Sequence, residues 1–219
     1  MKFDLAKDKL LILLIAADVS FIVLHLFHTY TILLPDNLFS IGQDRGYGEF
    51  FQYTKELWVA ILLFLLGLRK RKFLYIIFAF LFLYFLIDDA LEVHERFGAF
   101  LSDFLNFQPN LGLRAIDFGE LAVSIFFGAL FFIAIGITHH QSDSFARTIS
   151  KYLIILIVLL ALFGVVMDML EIIVEHAVVN PILVTIEEGG EMLVMSMITW
   201  FAFRLDLATE EITIFGGNV

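Results

Sequence analysis

Between Leu86 and Arg96 the chain reads Leu-Ile-Asp-Asp-Ala-Leu-Glu-Val-His-Glu-Arg, four carboxylates and a histidine set in an otherwise apolar run. Carboxylate oxygens and imidazole nitrogens hold divalent metal ions, and the same groups accept and release protons. The residue types recur at Asp117 and Glu120, at Asp168, Glu171, Glu175 and His176, and at Glu187, Glu188 and Glu191. An ionised carboxylate in apolar surroundings is costly unless something positive answers it, so each of these residues is a candidate for function.

The elements that carry them must cross a membrane. The 219 residues are 60% hydrophobic and 16% aromatic, with a mean hydropathy of +0.91. The apolar runs have the length that a bilayer requires of a helix. Strands of a β-barrel would alternate polar and apolar positions, and these runs do not. The first run is long, carries Asp18, His25 and His28, and lacks a small-residue cleavage site before Pro35, unlike a cleaved signal peptide. There is no cysteine, hence no disulfide and no thiolate ligand. The net charge of −10 is not a surface property, because so many acids lie inside apolar runs. The bilayer is the expected partner, no nucleic acid is expected, and a homodimer is compatible with the sequence.

Periodicity and turn residues predict a single transmembrane domain, 1–219, with six spans. Helix 1 is expected from about Leu10 to Leu34, followed by a polar, glycine-dotted segment from Pro35 to Tyr53 that reads as a loop with room for a short surface helix. Helix 2 is expected from about Thr54 to Leu68, completing a unit at 1–72. Helix 3, about Phe73 to Leu105, is longer than a bilayer needs, so its outer end should protrude or break near Gly98. It forms a hairpin over 73–138 with helix 4, about Leu111 to Ile137. Helix 5, about Lys151 to Val179, and helix 6, from Pro181 to about Leu205, form a second hairpin over 151–205. Lys2, Lys7, Lys9, the block Arg69 to Lys72, Arg147, Lys151 and Arg204 fall on one side, and only Arg45, Lys55, Arg96 and Arg114 towards the other. This bias places both termini in the cytoplasm, in what reads as a prokaryotic plasma membrane.

Counting along the helices at about 1.5 Å per residue puts the acids of helices 3, 4, 5 and 6 in one layer of the outer half-bilayer. The hairpins also look duplicated. Asp117-Phe118-Gly119-Glu120 aligns with Glu188-Gly189-Gly190-Glu191, and the seven-residue spacing of Asp88 and Glu95 recurs in Asp168 and Glu175. Positions seven apart share a helical face, so Asp88, Glu92 and Glu95 form one stripe, and Asp168, Glu171 and Glu175 another.

A four-helix bundle with inward carboxylates is the architecture of di-metal carboxylate sites, which use single Glu ligands from two helices and Glu-x-x-His from the others. Glu120 and Glu191 fit the single-Glu role. No Glu-x-x-His occurs; His94 and His176 instead adjoin Glu95 and Glu175. The candidate metal ligands are therefore Asp88, Glu92, His94, Glu95, Glu120, Asp168, Glu171, Glu175, His176, Glu188 and Glu191. His25, His28, Asp117 and Glu187 are expected to steady them through hydrogen bonds. Two divalent ions are expected, iron first, with manganese or zinc as alternatives. The same acids could instead line a proton or cation pathway, or pair structurally with Arg96 and Arg114. A haem has no attachment motif, retinal has no lysine on helix 6, and a zinc hydrolase would want three histidines and a positioned serine.

The pattern Asp88-Asp89-x4-His94-Glu95, followed by Glu187-Glu188-x2-Glu191-Met192, resembles the small bacterial membrane proteins called memerythrins. The resemblance covers helices 3 to 6. It implies a transmembrane four-helix bundle holding two metal ions through Glu and His. An oxidoreductase acting on oxygen, a peroxide or a lipid-soluble substrate is then the leading function, with its electron donor unnamed by the sequence; a proton- or metal-coupled transporter is the alternative.

Overall fold

The computed structural model describes residues 8–174 and 179–215, with side chains as far as Leu205. Glu175 and His176 lie outside the described residues. The described chain is all-helical and contains no strand. Eight α-helices follow one another: α1 Lys9–Tyr30, α2 Tyr47–Lys70, α3 Phe73–Leu91, α4 Val93–Leu105, α5 Ala115–His140, α6 Ser144–Ala161, α7 Asp168–Val174 and α8 Asn180–Phe215. A π-helical stretch, Leu162–Met167, joins α6 to α7. Among the described residues five helices are long and apolar enough to cross a membrane: α1, α2, α3, α5 and the continuous run from α6 through α7.

The ends of the helices follow local chemistry. Asp143 caps α6, its side chain accepting from the Ala146 N–H at 2.8 Å, while Lys72 reaches it at 2.8 Å from across the bundle. These bonds hold the Asp143 carboxyl below its ordinary value. α2 ends on Arg71 in the left-handed conformation, with the Arg71 N–H bonded to the Leu68 carbonyl and the Lys72 N–H to that of Gly67. Asp8 receives Trp200 Nε1 at 3.0 Å and Arg204 at 2.8 Å, tying the start of α1 to α8.

Two boundaries differ from the sequence expectation. α2 begins at Tyr47, inside the segment expected as loop, because its polar residues face the protein: Gln52, Lys55, Glu56, Val59 and Leu63 make one buried face. The long third helix breaks at Glu92, not near Gly98. Glu92 sits at φ +54, and Asp88 Oδ1 accepts from the His94 N–H at 2.8 Å, starting α4 at a new angle. Asp88 and Glu95 therefore stand on two helices rather than on one stripe. Gly98 serves a different purpose. A Cβ there would fall 2.6 Å from the Glu120 nitrogen, and one on Gly119 would strike the Gly98 carbonyl, so α4 and α5 touch backbone to backbone.

The core is built from Leu63, Phe78, Phe82, Leu153, Met195 and Ile198, all fully buried, from α2, α3, α6 and α8. Lipid tails are as apolar as these side chains, so close packing rather than water exclusion holds the faces together. α2 lies against both α3 and α8, and α8 also touches α1, α6 and the π-helical stretch. α2 thus joins the bundle through one buried face, while Trp58, Ile61 and Leu65 on its other side remain exposed. The two hairpins also close in different registers. Glu120 meets Gly98, ten residues after Asp88, whereas Glu191 meets Gly164, four residues before Asp168.

Candidate functional site

One cavity of about 530 Å³ opens among α2, α3, α4, α5, the π-helical stretch and α8. Its polar end collects acids from every wall. α2 and the preceding loop contribute Asp44, Glu49 and Glu56; the end of α3 contributes Asp88 and Asp89, with Glu92 at the break. His94 and Glu95 come from α4, Glu120 from α5, Asp168 from the start of α7, and Glu187, Glu188 and Glu191 from α8.

Local backbone features set these side chains in place. The break at Glu92 turns His94 back onto Asp88, where its Nδ1 lies 3.1 Å from Oδ2. The π-helical stretch brings Gly164 against Glu191, in a space that a Cβ would close onto the carboxylate. Glu49, in the first turn of α2, accepts from the Arg45 N–H. Glu56 faces Asp89 carboxyl to carboxyl within hydrogen-bonding reach, while its Oε2 and the neighbouring Gln52 Oε1 have no partner among the described residues. Both Gln52 and Glu56 are buried and line the cavity.

Of the expected ligands, the cavity gathers Asp88, Glu92, His94, Glu95, Glu120, Asp168, Glu188 and Glu191, together with Glu187. Glu92 turns partly away, bonding Arg45 at 2.7 Å and Arg96 at 3.1 Å. Glu171 is not among the lining residues; it reaches Glu187. Asp117 is buried as the partner of Arg114, accepting from its backbone N–H at 2.6 Å and from its guanidinium at 2.6 and 2.9 Å. The expected pairing of acids with Arg96 and Arg114 is thus found for Glu92 and Asp117. His25 and His28 do not reach the cavity. His25 Nδ1 accepts from the Ile41 N–H at 3.3 Å, and His28 Nδ1 donates to the Leu34 carbonyl at 2.7 Å, so both fasten the loop after α1. Among the described residues no three His, Asp or Glu side chains already converge as a set that could hold a metal ion.

Two features escaped the sequence reading. Glu49 was hidden by taking the first turns of α2 for loop, and Glu56, inside the expected helix, was not singled out. Lys55, expected near the outer surface, is fully buried: its Nζ donates to Asp18 at 3.0 Å, to the Met192 carbonyl at 2.8 Å and to Ser196 at 3.3 Å. Ser196 in turn donates to Asp18 at 2.5 Å. The ammonium is close enough to Glu56 and Glu191 to feel their charge. A lysine in phase with Gln52, Val59 and Leu63 on an apolar helix was the signal for an inward charge.

Residues 10–207 match the family described as a domain of unknown function, DUF8692, and the chain belongs to that family. No curated protein and no solved structure matches it.

Proposed function

We propose that this DUF8692 member is an integral membrane protein whose acidic cavity binds divalent cations, in the form of a two-metal, carboxylate-bridged centre with iron as the leading occupant. α8 is the sixth span in this reading, both termini are cytoplasmic, and the membrane is a prokaryotic plasma membrane. The duplicated hairpins are two copies of one unit that have come to pack in different registers.

One observation carries the proposal. Acids from six helical segments surround a single space whose lining holds one arginine, Arg114, with a side chain 66% exposed and already engaged by Asp117. Crowded, desolvated carboxylates either keep their protons or gather cations. The donor set is oxygen-rich with one imidazole, which suits iron or manganese better than softer ions. Glu56 Oε2 is a buried acceptor that a bound cation would satisfy. Iron, when bound, would supply one-electron chemistry at oxygen, a peroxide or a lipid-soluble substrate. Glu188 and Glu191 would set its position from α8, while Glu120 and Glu95 would hold the opposite wall.

Metal quantitation on protein purified in mild detergent and loaded with ferrous iron, manganese or zinc tests the reading. About two ions per chain are expected for the native protein, and Glu191→Gln and Glu188→Gln should each lose at least one. Native protein that retains none of the three metals after desalting would refute the proposal.

A second reading, a proton- or metal-coupled transporter, is favoured by the carboxyl pairs Glu56–Asp89 and Glu171–Glu187. Two carboxyls in such contact can share a proton and release it when a cation arrives. Metal-driven proton release into sealed proteoliposomes, with exchangeable rather than retained metal, would select this reading over the first.

A further inference from the structure

The cavity is longer than its acid end. On α5 the lining residues step from Glu120 through Ser124 and Gly128 to Phe132, a rise of about 18 Å at 1.5 Å per residue. On the facing helix they step from Asp168 back through Gly164 and Ala161 to Ile157, and α3 adds Leu81. Beyond Ser124 this arm carries no charge. It is also open sideways. α5 and α6 touch little, held beside their connecting turn by a hydrogen bond between His139 Nδ1 and Ser150 Oγ at 3.1 Å. Phe132 lines the cavity yet is 41% exposed, and Ala161 is exposed as well. Both lie well inside helices apolar enough to be surrounded by lipid, so the opening faces acyl chains rather than water.

We infer that the gap between α5 and α6 is a lateral entrance for a single-tailed lipid, whose tail fills the apolar arm and whose neutral, hydroxyl-bearing head reaches the acid end. The head's chemistry follows from what it meets. The Gln52 Oε1 acceptor and the Tyr84 hydroxyl both line the cavity, buried and without hydrogen-bond partners among the described residues, so a head bearing a hydroxyl can donate to the one and accept from the other. The head is neutral because, on the proposed function, bound cations already answer the acids' charge; in this respect the inference rests on that reading. A volume of about 530 Å³ lies within the range of small-molecule sites.

Gly128 provides the test. A Cβ built there meets nothing within 4 Å, so a side chain can start from this position into the arm. Gly136, two turns further along α5, is equally open but does not line the cavity, and serves as the control. The full-length protein in lipid nanodiscs is exposed to a dodecyl hydroquinone carrying a diazirine in its tail, irradiated, and mapped by mass spectrometry. Native protein and Gly136→Trp should be labelled on the facing sides of α5 and α6, and Gly128→Trp should lose labelling by about tenfold or more. Diazirine-bearing dodecanoate and dodecylamine should label these segments at least about tenfold less than the hydroquinone. Equal labelling in Gly128→Trp, or equal labelling by either analogue, overturns the inference. Metal is quantified on the same samples. Labelling without retained metal keeps the lipid entrance and refutes the metal centre, whereas retained metal without labelling refutes the entrance alone.

Discussion

Replacing Lys55 by Met should unfold much of the protein's margin of stability, and removing its partner at the same time should restore most of it. The Lys55 ammonium has three protons, and the structure uses all three, on Asp18, the Met192 carbonyl and Ser196. Neither Lys55 nor Asp18 retains any exposed side-chain surface. Lys55→Met keeps the length of the side chain but leaves the Asp18 carboxylate with the Ser196 hydroxyl alone. Removing one member of a buried pair costs about 3–5 kcal/mol, or roughly three powers of ten in the folded population at about 1.4 kcal/mol each. In Lys55→Met with Asp18→Leu no charge remains, and Ser196 can turn its hydroxyl back to the Met192 carbonyl four residues before it. That double variant should therefore cost about 1–2 kcal/mol or less, since apolar replacement of a buried pair is often neutral. Unfolding by added SDS in mixed micelles, followed by circular dichroism, measures each term, and the cycle of four proteins yields the coupling. With each single variant costing about 3–5 kcal/mol and the double about 1–2 kcal/mol or less, we expect a coupling of at least about 4 kcal/mol between the two positions. A coupling below about 0.5 kcal/mol, the additivity seen for independent sites, would refute the view that these charges hold α1, α2 and α8 together as one unit.

Further outcomes follow from the site and its supports. Glu120→Gln and Glu191→Gln should both lower retained metal, whereas Asp18→Asn should lower stability with metal content kept, because Asp18 is not among the residues lining the cavity; metal quantitation and SDS unfolding on the same samples read both. Gly119→Ala places a methyl on the Gly98 carbonyl and should cost about 1–3 kcal/mol or more, measured as lost thermal stability in detergent. Asp143→Ala should cost about 1 kcal/mol through loss of the α6 cap. The folded Asp143 carboxyl lies below its ordinary value of 3.8, so its contribution is complete above that pH and fades as the pH falls through the folded value. The difference between native and variant should accordingly shrink in strong acid.

The helical class and the meeting of the acids were legible because both rest on simple periodicity: apolar runs of bilayer length, and carboxylates at matching distances from their ends. The boundaries of α2 were not, since Gly48, Glu49 and Gln52 look like loop residues until α3 and α8 give them something to face. The break at Glu92 was also hidden. No glycine or proline marks it; Asp88 makes it by accepting from the His94 N–H, a choice decided by the side chains around it rather than by propensity. Lys55 was read by the rule that counts positive charges on either side of a membrane, and that rule says nothing about a lysine whose partner stands 37 residues away on another helix. His25 and His28 shared the depth of the acids but not their direction, which only the packing of the loop after α1 determines.

The contact between Gly98 and Gly119 acts as a gauge block. Where side chains separate two helices, a change of rotamer can widen or narrow the gap; here main-chain atoms meet, and the spacing is set by their radii. Glu95 stands just before one of these glycines and Glu120 just after the other, so this wall of the chamber is held to a fixed width. The opposite wall, where α2 and α8 present Glu56, Glu188 and Glu191 on long side chains, is the adjustable jaw. Substitutions meant to resize the chamber for a larger or smaller occupant should therefore be made on α2 and α8.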